Sequence, residues 1–319
     1  MATAFVFPGQ GSQSVGMGKG LAEAFTPARQ VFEEVDAALG EKLSETMWNG
    51  PAETLTLTEN AQPALMAVSL AALRALEAEA GLDLSRDAAF VAGHSLGEYS
   101  ALAAAQSLTV ADAARLLRIR GRAMQKAVPV GVGAMAALIG VELDTAMAIA
   151  EEAAAGAVCA AANDNGGGQV VLSGEKSAVE RAVEIAKMQG VKRAMMLPVS
   201  APFHCALMQP AADAMAAALS QVAVKPPCVP LVANVLATPI NDPVDIVRSL
   251  VQQVTGTVRW RESVSFMAKA GVTAFYEIGS GKVLAGLIKR IAETASASSI
   301  GTPEDVARFK AARVSVARS

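Results

Sequence analysis

Short β-rich runs closed by Gly or Pro alternate along this chain with longer Ala- and Leu-rich stretches. The first run, 3–7, ends at Pro8-Gly9 and predicts a strand. Helices are predicted near 18–39 and 62–80. A second strand run leads up to Gly93, followed by helices over 98–106 and 110–127. Strands alternating with helices imply a parallel sheet with helices on both faces.

The middle of the chain changes pattern. Strands are predicted at 133–140, 157–163, 169–174 and 192–199, with helices at 142–155 and 175–189. The second and third strands flank the turn Asn163-Asp164-Asn165-Gly166-Gly167-Gly168. The order β-α-β-β-α-β is a ferredoxin-like unit inserted into a larger fold. The expected division is a large subdomain over 1–127 and 199–319 and a small one over 128–198. After the insertion the α/β pattern resumes. Helices are expected at 206–220, 246–253, 260–270 and 283–292, and strands at 229–234 and 274–278. Residues 296–299 read as a loose linker. Thr302-Pro303-Glu304-Asp305 opens a last helix with a cap, a proline in the first turn and acids at the positive dipole end. The fold class is α/β: a hydrolase-like large subdomain with a parallel sheet, plus the ferredoxin-like insertion.

Composition narrows the partners. The chain has 319 residues, 52% of them apolar, and a formal charge of −3. Without a basic surface, nucleic acid is not an expected partner. The cysteines Cys159, Cys205 and Cys228 are scattered, with no metal spacing and no disulfide framework, which suits a reducing cytosol. No basic start precedes Lys19, so no signal peptide is expected. The longest uncharged run, between Arg193 and Asp213, holds three prolines, a histidine and a glutamine, and makes a poor membrane span.

Gly93-His94-Ser95-Leu96-Gly97 fits Gly-x-Ser-x-Gly between an apolar run and an alanine-rich one. That is strand, sharp turn, helix: a nucleophile elbow. It sets Ser95 Oγ at a helix N-terminus, where developing negative charge is favoured. Covalent acyl chemistry follows, whether the acyl group ends on water or on another carrier.

Serine needs a base to take its proton. The chain has only two histidines. His94 adjoins Ser95, and adjacent side chains on an elbow diverge. A histidine base is therefore His204, where the insertion returns to the large subdomain. The alternative is that His204 caps the next helix or packs in the core. A hydrolytic triad also wants a carboxylate, but no acid near His204 sits in a motif, so the orienting group stays open.

Arg120 shares an apolar helix face with Ala113, Leu116, Leu117, Met124 and Ala127, while Arg115, Arg118, Arg122 and Lys126 are expected to be solvated. An arginine on such a face needs an anionic partner. That partner is either an internal acid or a substrate carboxylate gripped by two N–H groups. Phe7-Pro8-Gly9-Gln10-Gly11-Ser12-Gln13 lacks the Gly-Lys-Ser/Thr of a phosphate loop. It is either an ordinary β-turn or a close approach that presents the Gln10 amide toward Ser95. Gly279-Ser280-Gly281-Lys282 is too short for a nucleotide loop.

Taken in order, the Gly9-Gln10 turn, the Ser95 elbow, Arg120-Gly121-Arg122-Ala123-Met124, Asn163 to Gly174, Phe203-His204 and Gly279 to Lys282 resemble the malonyl-CoA:acyl carrier protein transacylases of fatty acid synthesis. The resemblance runs to about residue 310. It implies Ser95 as nucleophile, His204 as base and Arg120 on the malonyl carboxylate. It also implies an oxyanion hole from the N–H groups of Gln10 and Leu96, and a backbone carbonyl near Gln253 orienting the histidine in place of an acid. Met124, Asn163 and Phe203 would line the pocket and its mouth; Lys192 and Arg193 would contact an acidic carrier protein. The partners implied are malonyl-CoA and acyl carrier protein, with no cofactor, metal, membrane or nucleic acid, for a cytoplasmic monomer. Phe203 departs from the usual bacterial pattern, where many relatives carry a smaller residue. Its ring would crowd a branched α-carbon, which supports malonyl over methylmalonyl.

Three rival readings differ in what they require. An α/β-hydrolase esterase or thioesterase needs a triad acid and has no use for Arg120. A non-catalytic carrier-binding module does not need Ser95 and His204. A stand-alone polyketide acyltransferase shares the chemistry and differs in its carrier.

Overall fold

The computed structural model describes residues 2–199 and 201–316. The first part of the large layer runs β1 (Ala2–Phe7), α1 (Lys19–Ala24), α2 (Thr26–Leu39), α3 (Leu43–Asn49), α4 (Ala52–Thr56), α5 (Thr58–Ala80), α6 (Leu84–Asp87), β2 (Phe90–Gly93), α7 (Gly97–Ala104) and α8 (Val110–Ala127). The predicted helix at 18–39 is two helices. Phe25 is extended between them, because Pro27 in the first turn of α2 cannot continue a preceding helix. The short helices α3 and α4 have no counterpart in the sequence reading.

The insertion follows: β3 (Gly133–Ile139), α9 (Leu143–Ala154), β4 (Cys159–Asp164), β5 (Gln169–Glu175), α10 (Lys176–Met188) and β6 (Arg193–Met196). Its sheet has the order β4-β5-β3-β6, antiparallel throughout, which is the ferredoxin-like arrangement. Alternation decides its two faces. Leu138, Val170 and Leu172 pack with Ile149 of α9 and Ala182 of α10. Met135 and Val171 point the other way, into the core cluster of the large layer.

The chain returns through a 3₁₀ turn (Ala206–Met208) to α11 (Gln209–Leu219). It continues as β7 (Leu231–Val232), β8 (Pro239–Ile240), α12 (Pro243–Gln253), α13 (Trp260–Lys269), β9 (Val272–Ile278), α14 (Val283–Ile291), β10 (Ser296–Ile300) and α15 (Pro303–Val316). The large sheet has the order β10-β9-β1-β2-β7-β8. Its pairs are parallel except the edge pair β7–β8. The expected linker at 296–299 is instead part of edge strand β10, with Ala297 opposite Phe275 and Ile300 opposite Ile278. Its serines hide the apolar alternation that normally marks a strand, and the row of β9 supplies the apolar partner.

β1 lies inside the sheet, and both of its faces are covered. Phe5 and Phe7 pack in the cluster of α2, α5 and α8, while Ala4 and Val6 pack with Trp260, Val264 and Ile288. Burial of a phenylalanine of this kind contributes about 1.5–3 kcal/mol. Helices on both faces leave the carboxyl ends of the strands as the open crevice, where ligands of such sheets bind. Ser95 follows β2 and Asn234 follows β7 at that edge. Among the described residues no helix is long and apolar enough to cross a membrane.

Candidate active site

The chain reverses between β2 and α7 through Ser95, whose φ is 54°. The flanking glycines are dictated by contact. A Cβ on Gly93 would lie 1.9 Å from the Gly97 carbonyl oxygen, and one on Gly97 would lie 2.2 Å from that of Phe7. The turn therefore folds tightly on itself and against the end of β1.

Ser95 Oγ lies 2.8 Å from His204 Nε2. His204 Nδ1 donates to the backbone carbonyl of Gln253 at 2.8 Å. A carbonyl only accepts, so Nδ1 carries the proton and Nε2 is free to accept from the serine hydroxyl. His204 is buried, and burial followed by the Arg120 charge pushes its pKa down to about 3. The ring is therefore neutral at neutral pH. His94 points elsewhere: its Nε2 lies 2.9 Å from Asn165 Oδ1, and its ring packs against Trp260.

Arg120 is 1% exposed, and its hydrogen-bond acceptors are all neutral, although the buried carboxyl of Glu98 acts on it through space. It donates to Gln62 Oε1 at 2.7 Å, Gln253 Oε1 at 2.8 Å and Ser95 Oγ at 3.1 Å. The internal salt bridge weighed for it does not form among the described residues. Arg118, expected in solvent, is buried instead and pairs with Glu41, Glu59 and Asn60.

Gln10, Ser95, Leu96, Arg120, Met124, Asn163, Phe203 and His204 line one cavity of about 400 Å³. Met135, Val171 and Leu197 supply its apolar wall from the insertion, and Val199 adds to it where the chain returns to the large layer. Asn163 stands where β4 bridges to Val258 of the large layer, which fixes it at the junction. The N–H groups of Gln10 and Leu96 have no protein acceptor among the described residues. The Gln10 side chain does not reach for Ser95; its Oε1 accepts from Thr58 Oγ1 at 2.9 Å.

Lys192 and Arg193 are exposed and do not line the cavity. Arg193 pairs with Ile139, at the other end of β3 from cavity-lining Met135. Lys192 instead packs beside Gly140, which adjoins Gly168 of the β4–β5 turn, and Gly167 of that turn packs on Arg290. The exposed Lys192 thus sits beside the strand end that meets the β4–β5 turn, and that turn packs on the exposed Arg290 of α14.

Sequence reasoning missed Gln62, Glu98 and Asn234. Glu98 is fully buried, and burial pushes its carboxyl up to about 7. Its Oε2 accepts from Gln253 Nε2 at 2.7 Å and from Asn234 N–H at 3.2 Å. Gln62 follows the polar first turn Thr58-Glu59-Asn60 of α5, so nothing in its neighbourhood marks it as buried. Asn234 ends a strand run at the carboxyl edge of the sheet, a place that itself points to function. Among the described residues no group of three or more His, Cys, Asp or Glu could hold a metal ion.

The chain and its fold have counterparts among known proteins. Residues 4–314 match the family described as acyl transferase domain. The chain is 47% identical to the malonyl CoA-acyl carrier protein transacylase of Escherichia coli K12, over 95% of this chain and 97% of that one. It superimposes on an acyl-carrier-protein S-malonyltransferase from Bartonella henselae with a TM-score of 0.96 and 57% identity, covering 98% and 100% of the two chains. It also resembles a malonyl-transacylase solved in complex with a type II polyketide acyl carrier protein, with a TM-score of 0.94 and 42% identity, covering 98% and 100%.

Proposed function

The chain belongs to the acyl transferase domain family and is an acyltransferase, and from that premise we propose that it moves a malonyl group from malonyl-CoA to the phosphopantetheine thiol of acyl carrier protein, through an ester on Ser95. The observation that carries the malonyl assignment is Arg120: a buried cation, without a salt bridge among the described residues, 3.1 Å from the serine oxygen.

As Ser95 Oγ attacks the thioester carbon, its proton passes to His204 Nε2. The N–H groups of Gln10 and Leu96 receive the oxyanion. The tetrahedral intermediate collapses, the C–S bond breaks, and the CoA sulfur leaves with the proton returned by His204. A malonyl-serine ester remains, its carboxylate on Arg120. The carrier thiol then gives its proton to His204, attacks the ester and regenerates Ser95. An acetyl group would leave the guanidinium unpaired, which costs binding where a malonyl group gains it. Phe203 at the cavity wall favours the unbranched malonyl.

In this reading residues 128–198 act as one subdomain against 1–127 and 199–319, with Asn163 at the mouth between them. Lys192 and Arg193, with Arg290, form the face that meets an acidic carrier. The proposal includes a cytoplasmic monomer that needs no metal or redox cofactor; the unpaired thiols of Cys159, Cys205 and Cys228 support a reducing compartment.

Intact-protein mass spectrometry after incubation with malonyl-CoA, acetyl-CoA or methylmalonyl-CoA tests the chemistry. Malonyl-CoA should add one malonyl group at Ser95, the other two thioesters much less, and S95A nothing. Label on S95A, or equal labelling by acetyl-CoA, would refute the assignment. Release of free malonate faster than transfer to the carrier would favour a thioesterase.

A further inference from the structure

Ser95 occupies the left-handed region, where a residue with a Cβ is strained, and glycine cannot relieve the strain because the side chain is the nucleophile. Groups outside the turn must hold it. β7 lies beside β2 and delivers Asn234 just past its own carboxyl end. Asn234 Oδ1 accepts from the Ser95 N–H at 2.8 Å, and its Nδ2 donates to the Gly93 carbonyl at 2.6 Å. One planar amide therefore grips both sides of the bend. Gln253 Nε2 donates to the Ser95 carbonyl at 2.9 Å, so both backbone polar groups of the nucleophile are held by remote side chains. Asn234 is itself fixed. Its N–H donates to Glu98, its carbonyl accepts from Arg259 N–H at 3.0 Å, and it is 1% exposed.

We propose that Asn234 is a positioning residue, whose side-chain amide locks the elbow so that Ser95 Oγ faces His204 Nε2, with Glu98 as its anchor. The inference rests on Ser95 as the nucleophile. Asn234 does not line the cavity, so the acyl group never touches it. Alanine removes both hydrogen bonds. Aspartate keeps the volume but sets an oxygen against the Gly93 carbonyl.

The test compares wild type, N234A and N234D in three measurements: malonyl-CoA burst acylation, Ser95 labelling by a small fluorophosphonate, and thermal melting. Acylation at saturating malonyl-CoA should fall about 100-fold, the loss that follows a misplacement of about 1 Å. The half-saturating concentration should stay within about threefold, because Arg120 and the cavity are intact. Fluorophosphonate labelling, which needs neither Arg120 nor the carrier, should fall by the same factor as acylation. If N234A does not fold, the readings are taken on N234D, which keeps the side-chain volume. The inference is overturned if a folded variant acylates and labels within about threefold of wild type, or if the loss lies in half-saturation alone. Failure of the fluorophosphonate to label Ser95 in wild type would overturn the nucleophile itself, independently of Asn234.

Discussion

Arg118 and Arg120 stand two residues apart on α8, both buried, with opposite surroundings. Arg118 meets the carboxylates of Glu41 and Glu59 and the amide oxygen of Asn60. Arg120 meets two amide oxygens and a hydroxyl. Burying a guanidinium costs several kcal/mol unless charge and hydrogen bonds compensate. At Arg118 the fold supplies the charge, so that arginine ties α8 to the start of α5 and the loop after α2. At Arg120 the fold supplies neutral acceptors and only the through-space pull of Glu98, and no salt bridge forms among the described residues. On the proposed reading, the malonyl carboxylate brings the counter-ion that the fold withholds.

The comparison can be broken most directly at Arg120. R120A should lower kcat/KM for malonyl transfer by about 2–5 kcal/mol, some thirtyfold to several thousandfold, and largely spare acetyl transfer. Equal losses for both thioesters would remove the distinction between the two arginines. Next, Q62A removes one of the acceptors that aim Arg120. It should raise KM for malonyl-CoA about tenfold, close to the value of one charged hydrogen bond, with little change in kcat. The opposite signature is expected of R118A: a loss of about 1–2 kcal/mol in denaturant unfolding, moderated because Glu41 and Glu59 are partly exposed, with kcat/KM near wild type. Slow turnover with unchanged stability would show that Arg118 belongs to the site.

The smallest effect is a pH dependence. His204 falls from an ordinary 6.5 to about 3, so the unfolded chain binds this proton more readily, and stability is lost as pH falls below 6.5. Glu98 rises from 4.5 to about 7, so it favours the folded state at low pH, and that contribution is lost as pH climbs from 4.5 towards 7. Between 4.5 and 6.5 the two oppose each other. E98Q leaves the histidine unopposed. Its unfolding free energy should fall with acid more steeply than wild type's over that window, by at most ~1.4 kcal/mol per pH unit. Parallel curves would show that Glu98 does not titrate there.

Much of this was legible in the residues. The elbow announced itself because a tight turn around a side chain leaves only glycine at both flanks. Arg120 was visible as a charge on the wrong side of an amphipathic helix. The antiparallel insertion showed in its alternation of short runs around a glycine-rich turn. The same periodicity failed for Arg118, which follows the polar face of α8 yet is covered by the loop carrying Glu41, a contact between residues far apart in sequence. It failed for β10, whose serines carry no alternation. Asn234 carried only the weak signal of its place at the end of a strand run. A single polar residue after a strand is ordinary until the neighbouring strand is known to carry the nucleophile.

Gln253 has a consequence for genetics. Its backbone carbonyl holds His204, and its side chain holds Arg120 and the elbow. Replacing the side chain leaves the carbonyl in place, because every amino acid brings one. A mutational scan at position 253 therefore scores the hold on Arg120 and Ser95 and is blind to the hold on His204. The histidine's orientation is encoded by the path of α12, and only a change in that path, such as an insertion or deletion, would expose it.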